Sequence, residues 1–188
     1  MWLIKKIDWF GLLLLAALGG AAWWYWDWRD HSMDGVILAA ARRYEVEPAL
    51  VKAVAWRETW FSPSSRGKAG ELGLMQIRPV TAGEWAKTER VPGFQPEHLL
   101  DARTNALVGA WCLRRALRRY PQADDPVPFA LADYNAGRGR VLQWSKGAAA
   151  TNSEAFLADM PFPGTKAYTK AVMRRERNYR DVFPPAPK

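Results

Sequence analysis

The stretch from Glu58 to Pro79, ETWFSPSSRGKAGELGLMQIRP, sets one carboxylate among aromatic residues and follows it with a loop rich in Ser, Gly and Pro. Glu58 lies near the end of an apolar segment, with Trp56, Trp60 and Phe61 around it. A carboxyl group among aromatic rings loses solvation, which disfavours its charged form and raises its pKa. Such a group keeps a proton near neutral pH and can hand it to a leaving oxygen, as a general acid acting on a glycosidic bond must. The plain alternative is a helix-end glutamate, solvated or paired with Arg57 or Arg66. Residue types alone favour that alternative, because perturbed carboxylates are a minority.

Other chemistries find little support. His31 and His98 are far apart, with no cysteine partners or ligand spacing, so no metal site is expected. Phosphate-cradling loops and nucleophile triads are absent, and the domain is expected to work without a cofactor. Cys112 is the single cysteine; it excludes an internal disulfide and sits in an apolar helical pattern, as a buried inert thiol does. The formal net charge of +8 suits an anionic polymer or lipid surface. Arg114, Arg115, Arg118, Arg119, Arg174, Arg175 and Arg177 raise the question of nucleic acid, but an exported domain rarely meets it, and no nucleic-acid partner is expected.

The elements that must position Glu58 are helical. Asp34 can cap a first helix with Val36, Ile37, Ala40 and Ala41 on one face, running to about Tyr44. Pro48 suits the first turn of a second, whose Leu50, Val51, Val54 and Ala55 face inward and which carries Glu58 near its end. Asp101 opens a long helix with Ala106, Ala110, Leu113 and Leu117 at helical spacing. Further helices are expected over Pro126–Tyr134 and Thr165–Tyr179, with a turn at Gly137–Gly139. Strand alternation is scarce. The expected fold is a mainly α single domain, with at most a small hairpin near Ser64–Gln76.

Upstream, residues 9–26 read WFGLLLLAALGGAAWWYW without a charge. As a helix they would span about 27 Å at ~1.5 Å per residue, close to a hydrocarbon core. Lys5 and Lys6 precede the run, and Asp27, Arg29 and Asp30 follow it, which places the N-terminus in the cytoplasm. The organisation expected is a signal anchor over 1–30, a polar link over Asp27–Ser32, a domain over 31–183 and a Pro-rich tail over 184–188. A cleaved signal peptide is the rival reading, but no small-residue cleavage site precedes the bulky tryptophans. On either reading the domain is exported.

Beyond these single features, five blocks occur in order. Glu58, Phe61, Pro63, Gly70, Gly73, Leu74, Met75, Gln76, Ile77 and Pro79 form the first. Ala130, Ala132, Tyr134, Asn135, Ala136, Gly137, Gly139 and Val141 form the second, and Asn105, Gly109 and Leu113 lie between them. Tyr44, Val46, Pro48 and Leu50 precede the set; Thr165, Tyr168 and Val172 follow it. In these residues and spacings, about residues 34–181 resemble the soluble lytic transglycosylase family, bacterial relatives of goose-type lysozyme.

The resemblance implies a lysozyme-like domain acting on peptidoglycan glycan strands; with the apolar run upstream, the expected place is a single-pass anchor in the bacterial inner membrane with the domain in the periplasm. It implies that Glu58 is acid and then base, cutting the β-1,4 bond between N-acetylmuramic acid and N-acetylglucosamine with formation of a 1,6-anhydromuramyl end. Met75 and Gln76 would line the sugar groove, Tyr134 and Asn135 would stand near Glu58, and Tyr168 would close the other wall. Plain core packing competes as a role for Met75 and Tyr168. A hydrolytic muramidase on the same fold, or an inactive wall-binding tether of an envelope-spanning complex, are the alternatives.

Four positions depart from the family pattern. Gly67 stands in place of a serine, Glu71 and Asp133 in place of alanines, and Gly164 in place of a glutamate. Glu71 and Asp133 add acid near the site. Either could serve water as a base, or be a surface charge beside Lys68, Arg138 or Arg140.

Overall fold

The computed structural model describes residues 9–181; Lys5, Lys6 and the tail at 184–188 lie outside them. The first helix, α1 (Trp9–His31), runs through the stretch expected as a polar link. Asp27–His31 stays helical because it is docked on the domain. Tyr179 donates to Asp30 at 2.6 Å, Lys52 lies 3.4 Å from Asp30, and Arg29 Nε donates to the Trp60 carbonyl at 2.8 Å. Further back, Leu13, Leu15, Trp23 and Trp24 are all more than 60% exposed, so this helix has apolar side chains packed on nothing. Among the described residues no helix is long and apolar enough to cross a membrane.

The domain begins with α2 (Asp34–Tyr44) and α3 (Pro48–Thr59), joined by Glu45 in a left-handed turn whose N–H caps the end of α2. Pro48 takes the first turn of α3, where its missing N–H costs nothing. After the 60–78 loop comes α4 (Pro79–Thr88), then a 3-10 turn (Pro96–Leu100) and α5 (Ala102–Leu117), capped by Asp101 accepting from Thr104 N–H at 2.8 Å. The chain closes with α6 (Val127–Ala136), α7 (Arg138–Trp144), α8 (Ser153–Asp159) and α9 (Pro163–Tyr179). The reading of a mainly α domain is met. The expected hairpin reduces to two single bridges, Arg66 with Leu72 and Leu72 with Ile77.

The main core is formed where α3 packs on α9 and α2 on α5, with α6 against both α5 and α9. Ile37, Val51, Val54, Leu74, Leu113 and Val172 are at its centre. A smaller core under α6–α8 stacks Phe129 on Phe156 at 4.1 Å and on Tyr120 at 5.5 Å. Burial of this much apolar surface is what holds helices of only seven to seventeen residues.

Candidate active site

Glu58 stands in the last turn of α3. Immediately after it the chain reverses, with Trp60 and Phe61 both left-handed at φ 55° and 61°. Left-handed backbone is disfavoured for side chains of this size, and strain of this kind persists only where the surroundings enforce it. Here Phe61 is anchored in the core, and Thr59 Oγ1 donates to the Leu74 carbonyl at 2.7 Å while accepting from Ser62 N–H. These contacts hold the 72–77 loop against the end of α3.

That loop is itself built round Asn105, a fully buried residue of α5. Its Oδ1 accepts from Met75 N–H at 2.7 Å, and its Nδ2 donates to the Leu72 and Leu99 carbonyls at 2.8 Å each. A Cβ on Gly73 would collide with Asn105 and the Leu99 carbonyl, and its φ of 75° independently favours glycine. One turn further along the same face of α5, a Cβ on Gly109 would collide with Met75 Sδ. The GLMQ segment is therefore seated on α5 by close approach at two glycines.

At Glu58 the hydroxyl of Tyr168, from α9, donates to Oε1 at 2.7 Å. Burial is the largest influence on Glu58 and lifts its carboxyl to about 7. The Tyr168 hydrogen bond and the nearby Arg57 guanidinium oppose that rise, while the charge of Glu71 adds to it. Burial likewise holds the phenols of Tyr168 and Tyr134 well above their ordinary value, so both are neutral donors at physiological pH.

Of the residues named from sequence, Tyr168 meets Glu58 and Tyr134 meets the Met75 backbone, while Gln76 and Asn135 share a cleft with Tyr134 on which Glu58 does not open. Tyr168 is buried and points its hydroxyl at Glu58. Tyr134 donates to the Met75 carbonyl at 2.8 Å, which closes the far side of the loop. Gln76, at φ 49°, turns its amide back to the Gly73 carbonyl at 2.9 Å and lines the cleft beyond. Asn135 is exposed and accepts from Thr165 Oγ1 at 2.9 Å. The side chain of Met75 is wholly buried against Gly109 and faces the core, leaving its carbonyl for Tyr134. Cys112 has its thiol pushed up to about 12 by burial, which keeps it protonated and inert.

The added acids find partners other than those expected. Asp133 is buried and accepts from Arg119 at 2.7 Å and from the Tyr120 hydroxyl at 3.0 Å, so it is neither a surface charge nor paired with Arg138 or Arg140. Glu71 accepts from Ala69 N–H at 3.1 Å. Gly164 sits in the first turn of α9 with open space around it, where a longer side chain is lost without leaving a void.

Fold and site together define a helical domain built round one largely buried carboxyl group that holds its proton near neutral pH. Residues 35–157 match the model of the transglycosylase SLT domain, and the chain belongs to that family. It is 33% identical over 182 residues to the soluble lytic murein transglycosylase of Escherichia coli strain K12, an alignment covering 92% of this chain and 27% of that protein. To a membrane-bound lytic murein transglycosylase F of Desulfosudis oleivorans it is 33% identical over 109 residues, covering 56% and 22%. Its fold superposes on the crystal structure of the 70-kDa soluble lytic transglycosylase from E. coli with a TM-score of 0.69 and 32% identity, over 79% of this chain and 24% of that one. The chain thus spans about a quarter of the length of these relatives.

Proposed function

We propose that this protein is a peptidoglycan lytic transglycosylase in which Glu58 serves in turn as acid and base. The observation that carries the reading is the Glu58 carboxyl, lifted to about 7 by burial and fixed by Tyr168 through Oε1, so that the proton resides on Oε2. In the first half, Glu58 protonates the oxygen linking N-acetylmuramic acid to N-acetylglucosamine, and the bond from that oxygen to C1 breaks. The 2-acetamido oxygen of the muramic acid supports the cation at C1, a task that retaining glycosidases give to a second carboxylate. In the second half, the Glu58 carboxylate takes the proton of the C6 hydroxyl, O6 closes on C1, and the acid is restored. Gln76, Tyr134 and Asn135 hold the sugars, Met75 contributes through its backbone, and no metal or cofactor enters any step.

The relatives named as lytic murein transglycosylases, one of them membrane-bound, support this reading. The exposed leucines and tryptophans of α1 support a single-pass anchor in the inner membrane, with the domain in the periplasm. The test is to incubate the full chain in detergent micelles with purified peptidoglycan and weigh the released muropeptides. Anhydro-ended products, one water lighter and lost with Glu58→Gln, are expected. Reducing ends would establish a muramidase instead, and binding without release would establish a tether.

A further inference from the structure

Next to the loop of Met75 and Gln76 lies a cleft of about 690 Å³, a size typical of ligand sites. It shares Gln76, Tyr134 and Asn135 with the candidate site, while Glu58 is not on its wall. Five arginines line it, Arg78, Arg115, Arg119, Arg138 and Arg140, against two carboxylates, Glu71 and Asp133.

The five are not equally engaged. Arg119 is pinned by buried Asp133 at 2.7 Å. Arg115 is paired with Glu84 at 2.6 Å and lies over the Trp111 ring at 4.3 Å. Arg140 lies over Phe162 at 5.1 Å. Arg78 and Arg138 have no ion-pair partner among the described residues and are exposed on the cleft. A concave wall with excess positive charge concentrates its field, and guanidinium groups grip carboxylates through paired, charge-assisted hydrogen bonds.

The amino sugars of a murein strand are neutral. Its anionic groups sit on the lactyl branch of muramic acid, either as the lactyl carboxylate or as the carboxylates of an attached peptide. We propose that this cleft is a subsite for the carboxylate-bearing lactyl branch, with Arg78 and Arg138 as its receptors. The inference rests on the murein reading above. Through Gln76 and Tyr134 such a branch is anchored next to the groove, so that remote binding energy orients the sugar at Glu58.

The test measures binding, separately from turnover, with the full chain in detergent micelles carrying Glu58→Gln. Fluorescence anisotropy is read with three labelled murein oligomers: stem-bearing, stem-bearing with its carboxylates converted to neutral amides, and stripped of stems so that the lactyl carboxylate is free. Adding Arg78→Gln and Arg138→Gln is expected to weaken stem-bearing strands about tenfold and leave amidated strands unchanged. Stripped strands separate the two sources. An arginine-dependent loss there assigns the lactyl carboxylate, and its absence assigns the peptide. Equal binding of free and amidated strands, or equal loss on all three, overturns the subsite. The murein reading fails separately, if the active chain releases no muropeptides from whole peptidoglycan.

Discussion

The carboxylate of Glu71 fills the space that a side chain at residue 67 would need. A Cβ placed on Gly67 would collide with Glu71 Oε2 and come within 2.7 Å of Gln76 Oε1. The two departures from the family pattern in this loop are thus one exchange: the serine is lost where a glutamate arrives. Gly67→Ser alone is expected to push the flexible ends of Glu71 and Gln76 aside and break the Glu71–Ala69 hydrogen bond, at a cost of about 1 kcal/mol. Gly67→Ser with Glu71→Ala should recover most of that. Thermal unfolding of the four forms in a double-mutant cycle measures the coupling, and additivity would show that the two residues are independent.

Glu58 ties activity and stability to the same titration. As general acid it must enter the reaction protonated, so the rate should fall as pH rises through about 7. Its folded pKa lies above the unfolded value of 4.5, so between those values the folded state binds more protons and stability falls with rising pH. The loss, about 3 kcal/mol by pH 8, should be absent in Glu58→Gln. Denaturant unfolding at pH 5 and pH 8 reads the difference between the two proteins.

Tyr168→Phe removes the hydrogen bond that opposes the rise of Glu58. The alkaline limb of the pH–rate profile should therefore move to higher pH, while the rate at its optimum drops roughly ten- to hundredfold. A profile lowered without displacement would mean that Tyr168 only packs.

Much of this was legible beforehand because the signals were local. Pro48 and Asp101 mark helix starts by backbone chemistry that needs no tertiary context, and Glu58 stands out through the motif blocks around it. Asp34, expected as a cap, is instead the first residue of α2, with its carboxylate turned to His31 and Lys52. The helices over Pro79–Thr88, Arg138–Trp144 and Ser153–Asp159 were not read. They are short and depend on packing, with no complete apolar stripe of their own. The resemblance places Met75 in the groove, yet its side chain packs against Gly109, thirty-four positions away, and takes the alternative core role. Asp133 was given its sequence neighbours as partners, whereas the α5–α6 contact delivers Arg119 and Tyr120. Asn105 is visible as part of a motif, but its role in holding the loop follows only from its contacts with Met75 and Leu72, thirty and thirty-three positions away.

Those contacts make Asn105 the residue on which the loop most depends. Asn105→Ala would leave the Met75 N–H and the Leu99 carbonyl without their side-chain partner, while the Leu72 carbonyl keeps the Ile77 N–H. A cost of about 2–4 kcal/mol is expected, since each orphaned buried group carries a desolvation penalty. Hydrogen exchange should show loss of protection at Met75 before α5 itself opens, whereas uniform loss would point to global unfolding.

Lys52 makes the corresponding junction between α1 and the domain. It is fully buried, 2.7 Å from Asp34 and 3.4 Å from Asp30, with its ammonium over the Tyr179 ring at 4.6 Å. Trp26 meets Trp60 edge-to-face at 4.5 Å, so the same junction reaches the strained turn that follows Glu58. Lys52→Met removes the ammonium that two part-exposed carboxylates share, leaving Asp30 to Tyr179 and Asp34 to His31, and should cost about 1–3 kcal/mol. Adding Asp30→Asn and Asp34→Asn should return part of it, because neutral amides tolerate the loss of the ammonium better than two neighbouring carboxylates do. Limited proteolysis between α1 and α2, at residues 31–34, should become faster in the single variant and slow again in the triple. Cleavage unchanged in both would mean that the aromatic contacts alone hold α1 in place.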